Sequence, residues 1–175
     1  LVEILSLISF LSIYYYYGIS ITTLLLIILA LIFIIIFFID LKHFIIPNEL
    51  TVTLMVIGII KSIDPDLNYE IFPNFINSVL GGVIGYMLIW LIILFYKKVR
   101  NKEGMGLGDA KLLSAIGFWF GWVSIPFVLF LSSIIALGLS LPSLINKSKN
   151  LSSQIPFGPY IILGITLYVF IKHMI

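Results

Sequence analysis

The chain has 175 residues, of which 61% are hydrophobic and 10% are charged, and its formal net charge is +2. Soluble domains carry about 25% charged residues, so this composition, with a mean hydropathy of +1.21, excludes a soluble globule and indicates a membrane protein. Backbone groups in lipid must be paired within helices or a closed barrel, and the unbroken Leu and Ile runs favour helices. The absence of cysteine excludes disulfides, thiolate metal sites and cysteine nucleophiles.

Seven apolar segments of helical length follow one another along the chain. They lie near residues 2–17, 20–39, 49–62, 74–96, 109–121, 123–145 and 157–173. A spanning helix needs about 20 apolar residues, so the short third and fifth segments are expected to be tilted or to lie partly inside the bundle. Gly81, Gly82 and Gly85 stand at helical spacing and predict close helix packing. We therefore predict an all-α, polytopic transmembrane helical bundle of six to seven membrane helices, forming a single domain over residues 1–175.

The positive charges predict how the segments cross the membrane. If the N-terminus is cytoplasmic and the segments alternate, the cytoplasmic stretches are 40–48, 97–111 and 146–156. These stretches hold 8 of the 10 Lys and Arg residues, and Lys61 and Lys172 fall on the other side. The positive-inside rule favours this orientation.

One acidic residue closes the second segment. A charge in a membrane helix is costly and is therefore a candidate functional residue. Asp40 ends this segment and is followed by Pro47 and Asn48, which suit the turn that starts the next helix. A carboxylate at a helix C-terminus faces the negative end of the helix dipole. Taken alone, the position fits an interfacial acid and a functional acid equally well.

A second acidic residue follows a glycine-rich turn. Three glycines in five residues, Gly104, Gly106 and Gly108, precede Asp109. They predict a flexible or closely approached backbone just before a helix, where Asp is also a favoured N-cap. The stretch matches neither the dinucleotide fingerprint nor the P-loop, and no strand precedes it. Taken alone, this pattern favours a helix cap.

The two acids are more informative together. The predicted topology places Asp40 and Asp109 on the same, cytoplasmic side. Two carboxylates brought together cannot both ionise cheaply, so they share a proton and titrate as a coupled pair. Aspartic proteases use this arrangement: one acid activates water and the other protonates the substrate. The alternative is a proton relay in a small transporter or channel, for which acids near the middle of the membrane are expected.

Three groups of residues carry a resemblance to a known family. They are Asp40 with Ile46-Pro47-Asn48, then Gly106-Leu107-Gly108-Asp109-Ala110-Lys111-Leu112, and then Ile155-Pro156-Phe157-Gly158-Pro159-Tyr160. With the helical layout, they resemble the type IV prepilin peptidases, a branch of the membrane aspartyl proteases with a Gly-x-Gly-Asp motif. Presenilin-like enzymes share that motif but usually carry Tyr-Asp at the first acid and Pro-Ala-Leu near the C-terminus. The prepilin branch therefore fits better.

The resemblance implies a membrane aspartic endopeptidase of the prokaryotic cytoplasmic (inner) membrane, with its active site facing the cytoplasm. Its implied reaction is cleavage of the leader of type IV prepilins or pseudopilins after a glycine. It implies Asp40 and Asp109 as catalytic residues, and the substrate backbone is expected to approach Gly106 and Gly108. A presenilin-like intramembrane protease is the alternative within the same superfamily. Supporting roles are considered for Lys111, Pro47, Asn48, Pro156 and Gly158.

The resemblance also implies partners and cofactors. The expected partners are a prepilin or pseudopilin and the lipid bilayer, with no nucleic acid, and proteolysis is expected to need no cofactor or metal. Many bacterial members also methylate the new N-terminus with S-adenosylmethionine and carry an N-terminal region with paired zinc-binding cysteines. This chain has no cysteine and starts after that region would end. We therefore predict the peptidase domain alone, with methyltransferase activity only if a missing N-terminal region supplies it.

Overall fold

The computed structural model describes residues 2–67, 71–100, 106–145 and 156–174. These residues form seven α-helices and one short 3₁₀ helix, and they contain no strand. The helices are α1 (Val2–Tyr17), α2 (Ile21–His43), α3 (Asn48–Ile63), α4 (Phe75–Arg100), α5 (Leu107–Phe120), α6 (Ser124–Ile145) and α7 (Gly158–Met174), and the 3₁₀ helix is Pro65–Leu67. The predicted all-α architecture is confirmed, and each predicted segment corresponds to one helix. The predicted cytoplasmic stretches are described only in part, because residues 101–105 and 146–155 lie outside the described ranges.

The outer surface of the bundle is apolar. The helix α2 and the Phe75–Val99 part of α4 are long and apolar enough to cross a membrane, and three shorter helices are also apolar. The described residues of α1 include none that is buried, and Tyr15 and Ile19 are 83% and 94% exposed. A helical bundle with large apolar side chains on its outside is expected where the solvent is lipid. The predicted membrane helical bundle is therefore confirmed.

The helix α5 lies at the centre of the bundle. Ten of its 14 residues are buried, and it packs mainly against α4 and α3. The indole Nε1 of Trp119 donates a hydrogen bond to the Leu54 carbonyl at 2.8 Å, which ties α5 to α3. Because neighbouring helices surround it, α5 does not need the full length of a lipid-facing span. This position explains why the fifth apolar segment is short.

The helices α4 and α5 meet at glycines. A Cβ atom added at Gly85 would lie 2.7 Å from the Leu113 carbonyl oxygen, and one added at Gly117 would meet the backbone of Gly81 and Gly82. Small residues let helix backbones approach this closely in membrane bundles. The predicted packing role of the three glycines in the fourth segment is therefore confirmed.

The end of α2 differs from the prediction. The predicted segment ends at Asp40, whereas α2 continues to His43, so that Asp40 lies in its last turn. Phe44 then takes the left-handed conformation (φ 57°, ψ 34°), and its N–H donates to the Asp40 carbonyl at 2.9 Å. Glycine usually occupies this position at a helix end, and a residue with a side chain pays about 1 kcal/mol for it. This turn redirects the chain into α3, which begins at Asn48.

The C-terminal end of α2 and the N-terminal ends of α3, α5 and α7 lie together at one end of the bundle. The Gly158 N–H donates to the Asp40 carboxylate at 3.0 Å and joins α7 to α2. The Lys111 ammonium donates to the Asn48 side-chain oxygen at 2.6 Å and joins α5 to α3. This arrangement agrees with the alternating helix directions predicted from the loop charges.

Candidate active site

Asp40 is buried, with 4% of its surface exposed. Its Oδ2 accepts a hydrogen bond from the Gly158 N–H at 3.0 Å. Since α7 begins at Gly158, the positive end of the α7 dipole faces the carboxylate. The unfavourable position at the end of α2 is thus offset by the start of another helix. The sequence predicts a helix end near each of these two positions, but it does not predict that the two ends meet at Asp40.

Asp109 is also buried, with 7% of its surface exposed. Because α5 begins at Leu107, Asp109 is the third residue of the helix and not its N-cap. Its Oδ2 accepts a hydrogen bond from the Gly106 N–H at 3.3 Å. This is one half of a capping box, and glycine has no side chain to form the other half. The Oδ1 atom of Asp109 is buried without a hydrogen-bond partner among the described residues.

The two carboxylates share one feature of their surroundings. Each accepts one backbone N–H from a glycine at the start of a helix, Gly106 for Asp109 and Gly158 for Asp40. Both carboxylates lie at the same end of the bundle, and two carboxylates that come close together influence each other's protonation. Two such groups titrate as one coupled system. An acid and a base are then available side by side, which is the combination that aspartic proteases use.

Ile46 lies between the two helix starts. A Cβ atom added at Gly108 would lie 3.0 Å from the Ile46 Cβ, and one added at Gly158 would lie 3.0 Å from the Ile46 Cδ1. The added atom at Gly158 would also lie 2.7 Å from the Asp40 Oδ2. Neither glycine can therefore be replaced by a larger residue without displacing its neighbours. This contact explains the glycine that directly precedes Asp109.

Gly106 and Gly108 differ in their surroundings. Gly106 is exposed, and a Cβ atom added there would be in ordinary contact, 3.7 Å from the Asp109 Oδ2. Gly108 is half-buried and faces Ile46. The open backbone is therefore at Gly106, and the approach of a substrate backbone at these two glycines stays a prediction.

The five residues with predicted supporting roles differ in whether they contact a candidate catalytic carboxylate. Lys111 and Asn48 form a hydrogen bond with each other at 2.6 Å, and Pro47 immediately precedes α3. Gly158 contacts Asp40 directly, whereas Pro156 is half-buried and stands two residues before α7. Of the five, Gly158 is the one with a hydrogen bond to a candidate catalytic carboxylate.

The described residues include no cluster of side chains that is suited to bind a metal ion. Among these residues, no group of three or more His, Cys, Asp or Glu side chains is placed to hold a metal ion. The candidate site is defined by the two carboxylates and the backbone around them.

Comparison with known proteins identifies the family. The sequence profile described as the type IV leader peptidase family matches residues 27–141, a range that contains both Asp40 and Asp109. The chain belongs to the type IV leader peptidase family. The resemblance seen in the sequence motifs is therefore confirmed. Gly158 lies outside the matched range, although its N–H binds Asp40.

Curated relatives of this leader peptidase family member carry the name prepilin leader peptidase/N-methyltransferase. The chain is 35% identical over 127 residues to the one from Aeromonas hydrophila, which covers 71% of this chain and 41% of the relative. It is 34% identical over 123 residues to the one from Pseudomonas aeruginosa, covering 70% of this chain and 41% of the relative. The chain thus matches about two fifths of the length of these relatives. No solved structure matches the chain.

Proposed function

We propose that this member of the leader peptidase family is an aspartic endopeptidase that removes the leader of type IV prepilins or pseudopilins. Cleavage follows a glycine at the cytoplasmic face of the inner membrane, in a pilus or secretion system. The observation that carries the proposal is the pair of buried carboxylates, Asp40 and Asp109, each held by a backbone N–H at a helix start. The family match and the names of the relatives support the choice of substrate.

The proposed mechanism uses the shared proton. The ionised carboxylate of the pair takes a proton from water, whose oxygen attacks the carbonyl carbon of the scissile peptide bond. The protonated carboxyl gives its proton to the leaving nitrogen as the C–N bond breaks. The pair again holds one proton at the end, so the acid and base roles are restored by proton exchange.

The position of the acids favours proteolysis over a proton relay. Asp40 lies in the last turn of α2 and Asp109 lies in the first turn of α5. Both are therefore at one end of the bundle, whereas a relay that carries protons across the membrane needs groups near its middle. A peptide that approaches from the aqueous side reaches helix ends without entering the lipid.

The test is to identify the bond that is cleaved. Purified protein in detergent is incubated with a full-length prepilin, and the intact masses of both products are measured. We expect a single cut after the glycine that ends the leader, before the apolar helix of the substrate. Cuts within that apolar helix would instead indicate a presenilin-like intramembrane protease. An uncleaved prepilin would contradict the proposed activity.

Alanine at position 158 is expected to impair cleavage without unfolding the protein. The new Cβ would press on the Asp40 Oδ2, 2.7 Å away, and on the Ile46 Cδ1, 3.0 Å away. A displacement of about 1 Å at a catalytic group can cost about 100-fold in rate, so we expect kcat to fall by about that factor. The measurement is steady-state cleavage of a fluorescent leader peptide.

Gly164→Ala is the matched control for this change. Gly164 is also in α7, but its new Cβ would meet the Val128 carbonyl of α6 at 2.9 Å, away from both acids. We expect this control to lower the melting temperature and to leave kcat close to that of the wild type. If Gly158→Ala and Gly164→Ala have the same kcat, the contact between Gly158 and Asp40 has no catalytic role.

The proposal covers proteolysis and not methylation. The names of the relatives include N-methyltransferase, but the chain matches 41% of their length. The two carboxylates and the glycines beside them form an acid–base site, and we assign no residue of this chain to S-adenosylmethionine.

A further inference from the structure

The connection between α2 and α3 has one buried side chain. Phe44 and Ile45 are 51% and 62% exposed, whereas Ile46 is 9% exposed. An Ile followed by Pro47 would ordinarily be taken as part of a turn, since the residue before proline is extended. Here its side chain instead points into the bundle, beside both carboxylate-bearing regions.

Ile46 contacts both helix starts of the candidate site. Its Cβ lies 3.0 Å from the position of a Cβ added at Gly108, the residue before Asp109. Its Cδ1 lies 3.0 Å from the same position at Gly158, whose N–H holds Asp40. The single side chain thus separates the start of α5 from the start of α7.

Both ends of this connection are fixed to the helices that carry the acids. At one end, the Phe44 N–H donates to the Asp40 carbonyl at 2.9 Å. At the other end, Asn48 accepts a hydrogen bond from Lys111 of α5 at 2.6 Å. The segment that carries Ile46 is therefore anchored to α2 at one end and to α5 at the other.

We propose that Ile46 is a positioning residue that sets the spacing between the carboxylates of Asp40 and Asp109. It does so by filling the space between the helix starts at Gly108 and Gly158. The catalytic consequence of this role rests on the proposed peptidase function, whereas the spacing itself does not. A residue that only fills the core would affect stability without affecting the distance between the acids.

The spacing is tested directly by cross-linking. The chain contains no cysteine, so the double variant Asp40→Cys and Asp109→Cys carries one thiol at each acid position. Bifunctional thiol reagents of increasing length are then applied, and the chain is cut by a protease between positions 40 and 109. The reagent length that gives the highest yield of cross-linked fragments reports the separation of the two thiols. The same pair is measured with Ile46→Ala and, as a control, with Ile125→Ala. Ile125 is fully buried in α6 and its Cδ1 faces Gly85, away from the acids.

We expect Ile46→Ala to shift the preferred reagent length and Ile125→Ala to leave it unchanged. An unchanged preference in Ile46→Ala would overturn the proposal. A shifted preference, together with a wild-type protein that does not cleave prepilin, would support the role of Ile46 and contradict the proposed function. The two conclusions can therefore fail separately.

Kinetics with the acids intact give a second measurement. Misplacement of a catalytic group lowers kcat and leaves KM nearly constant. We therefore expect Ile46→Ala to lower kcat by about 100-fold. Ile46→Val removes only the Cδ1 atom, and we expect it to lower kcat by about tenfold. The control Ile125→Ala should keep its kcat while its melting temperature falls. Equal kcat values for Ile46→Ala and Ile125→Ala, assayed where both are folded, would contradict the positioning role.

Discussion

The substitutions Asp40→Asn and Asp109→Asn are each expected to abolish leader cleavage while leaving the protein folded. An amide can neither take a proton from water nor give one to a leaving amine, and loss of general acid–base catalysis costs about 100-fold to 10,000-fold for each group. Because the two acids act as a unit, we expect each single variant to lose nearly all activity, and the double variant to lose little more.

The structure indicates why these variants should fold. Each carboxylate accepts one backbone hydrogen bond, from Gly158 in the case of Asp40 and from Gly106 in the case of Asp109. The side-chain oxygen of asparagine can accept the same bond. The change also leaves a single carboxyl group in the buried site, so the cost of holding an ionised carboxylate beside a second acid is removed. We therefore expect melting temperatures equal to or above that of the wild type.

The measurement is cleavage of a purified prepilin, followed by mass spectrometry, together with thermal unfolding in detergent. Glu49→Gln is the matched control, because Glu49 is an exposed acid in the first turn of α3 at the same end of the bundle. It should cleave at the rate of the wild type. Cleavage within about tenfold of the wild-type rate by Asp40→Asn or Asp109→Asn would exceed what acid–base catalysis allows and would remove these residues from the mechanism.

The sequence predicts the helices well because they depend on local properties. Apolar runs interrupted by charged and turn residues give seven segments, and each corresponds to one observed helix. One difference concerns α2, which continues past Asp40 to His43. Asp is a poor helix residue by propensity, so the sequence favours an earlier end. The hydrogen bond from Gly158 of another helix offsets the position of this carboxylate, and no local pattern reports it.

The sequence identifies only part of the candidate site, because the other part depends on contacts between residues that are far apart in the chain. The two acids were found because charges are rare in apolar segments, and a glycine before Asp109 is an obvious motif. The role of Ile46 depends on Gly108 and Gly158, which are far from it in the chain. Ile46 stands in the motif Ile46-Pro47-Asn48, but neither the spacing nor the composition of an apolar chain indicates which helices one apolar residue contacts.

The surroundings of the charged residue Lys61 also could not be predicted from the sequence. The loop charges place it on the outer side, at a helix end. In the structure it is 3% exposed, and its ammonium lies 4.1 Å from the centre of the Phe72 ring and 5.6 Å from that of Trp119. Such cation–π contacts favour a desolvated lysine. They join residues from three parts of the chain, and the count of loop charges cannot detect them.

Alanine at position 117 is expected to have the largest effect on stability. The Cβ of the new residue would meet the backbone of Gly81 and Gly82 in α4. A backbone cannot rotate away as the end of a side chain can, so the two helices must separate. Overpacking of a tight core typically costs about 1–3 kcal/mol and sometimes more, and we expect a loss of about 3 kcal/mol in the free energy of unfolding.

This loss is large because the association of α4 and α5 depends on their close approach. Helices in lipid gain no hydrophobic energy by pairing, and they depend on close packing and on hydrogen bonds between helices. The Ser114 hydroxyl donates to the Gly82 carbonyl at 2.8 Å, and the Ser78 hydroxyl donates to the Phe118 carbonyl. Both bonds would lengthen if the helices moved apart. The alanine variant therefore loses packing and hydrogen bonding together.

Gly138→Ala is the control, since Gly138 of α6 has no atom within 4 Å of an added Cβ. Alanine has the better helix propensity, by about 1 kcal/mol, so this variant should be as stable as the wild type or more stable. Reversible unfolding in mixed micelles measures both changes. Equal stability of the two alanine variants would contradict a glycine contact between α4 and α5. Because α5 carries Asp109, we expect Gly117→Ala to lose both stability and cleavage. We expect Asp109→Asn to lose cleavage alone. The comparison of the two variants therefore distinguishes a loss of activity caused by helix packing from one caused by the missing carboxyl group.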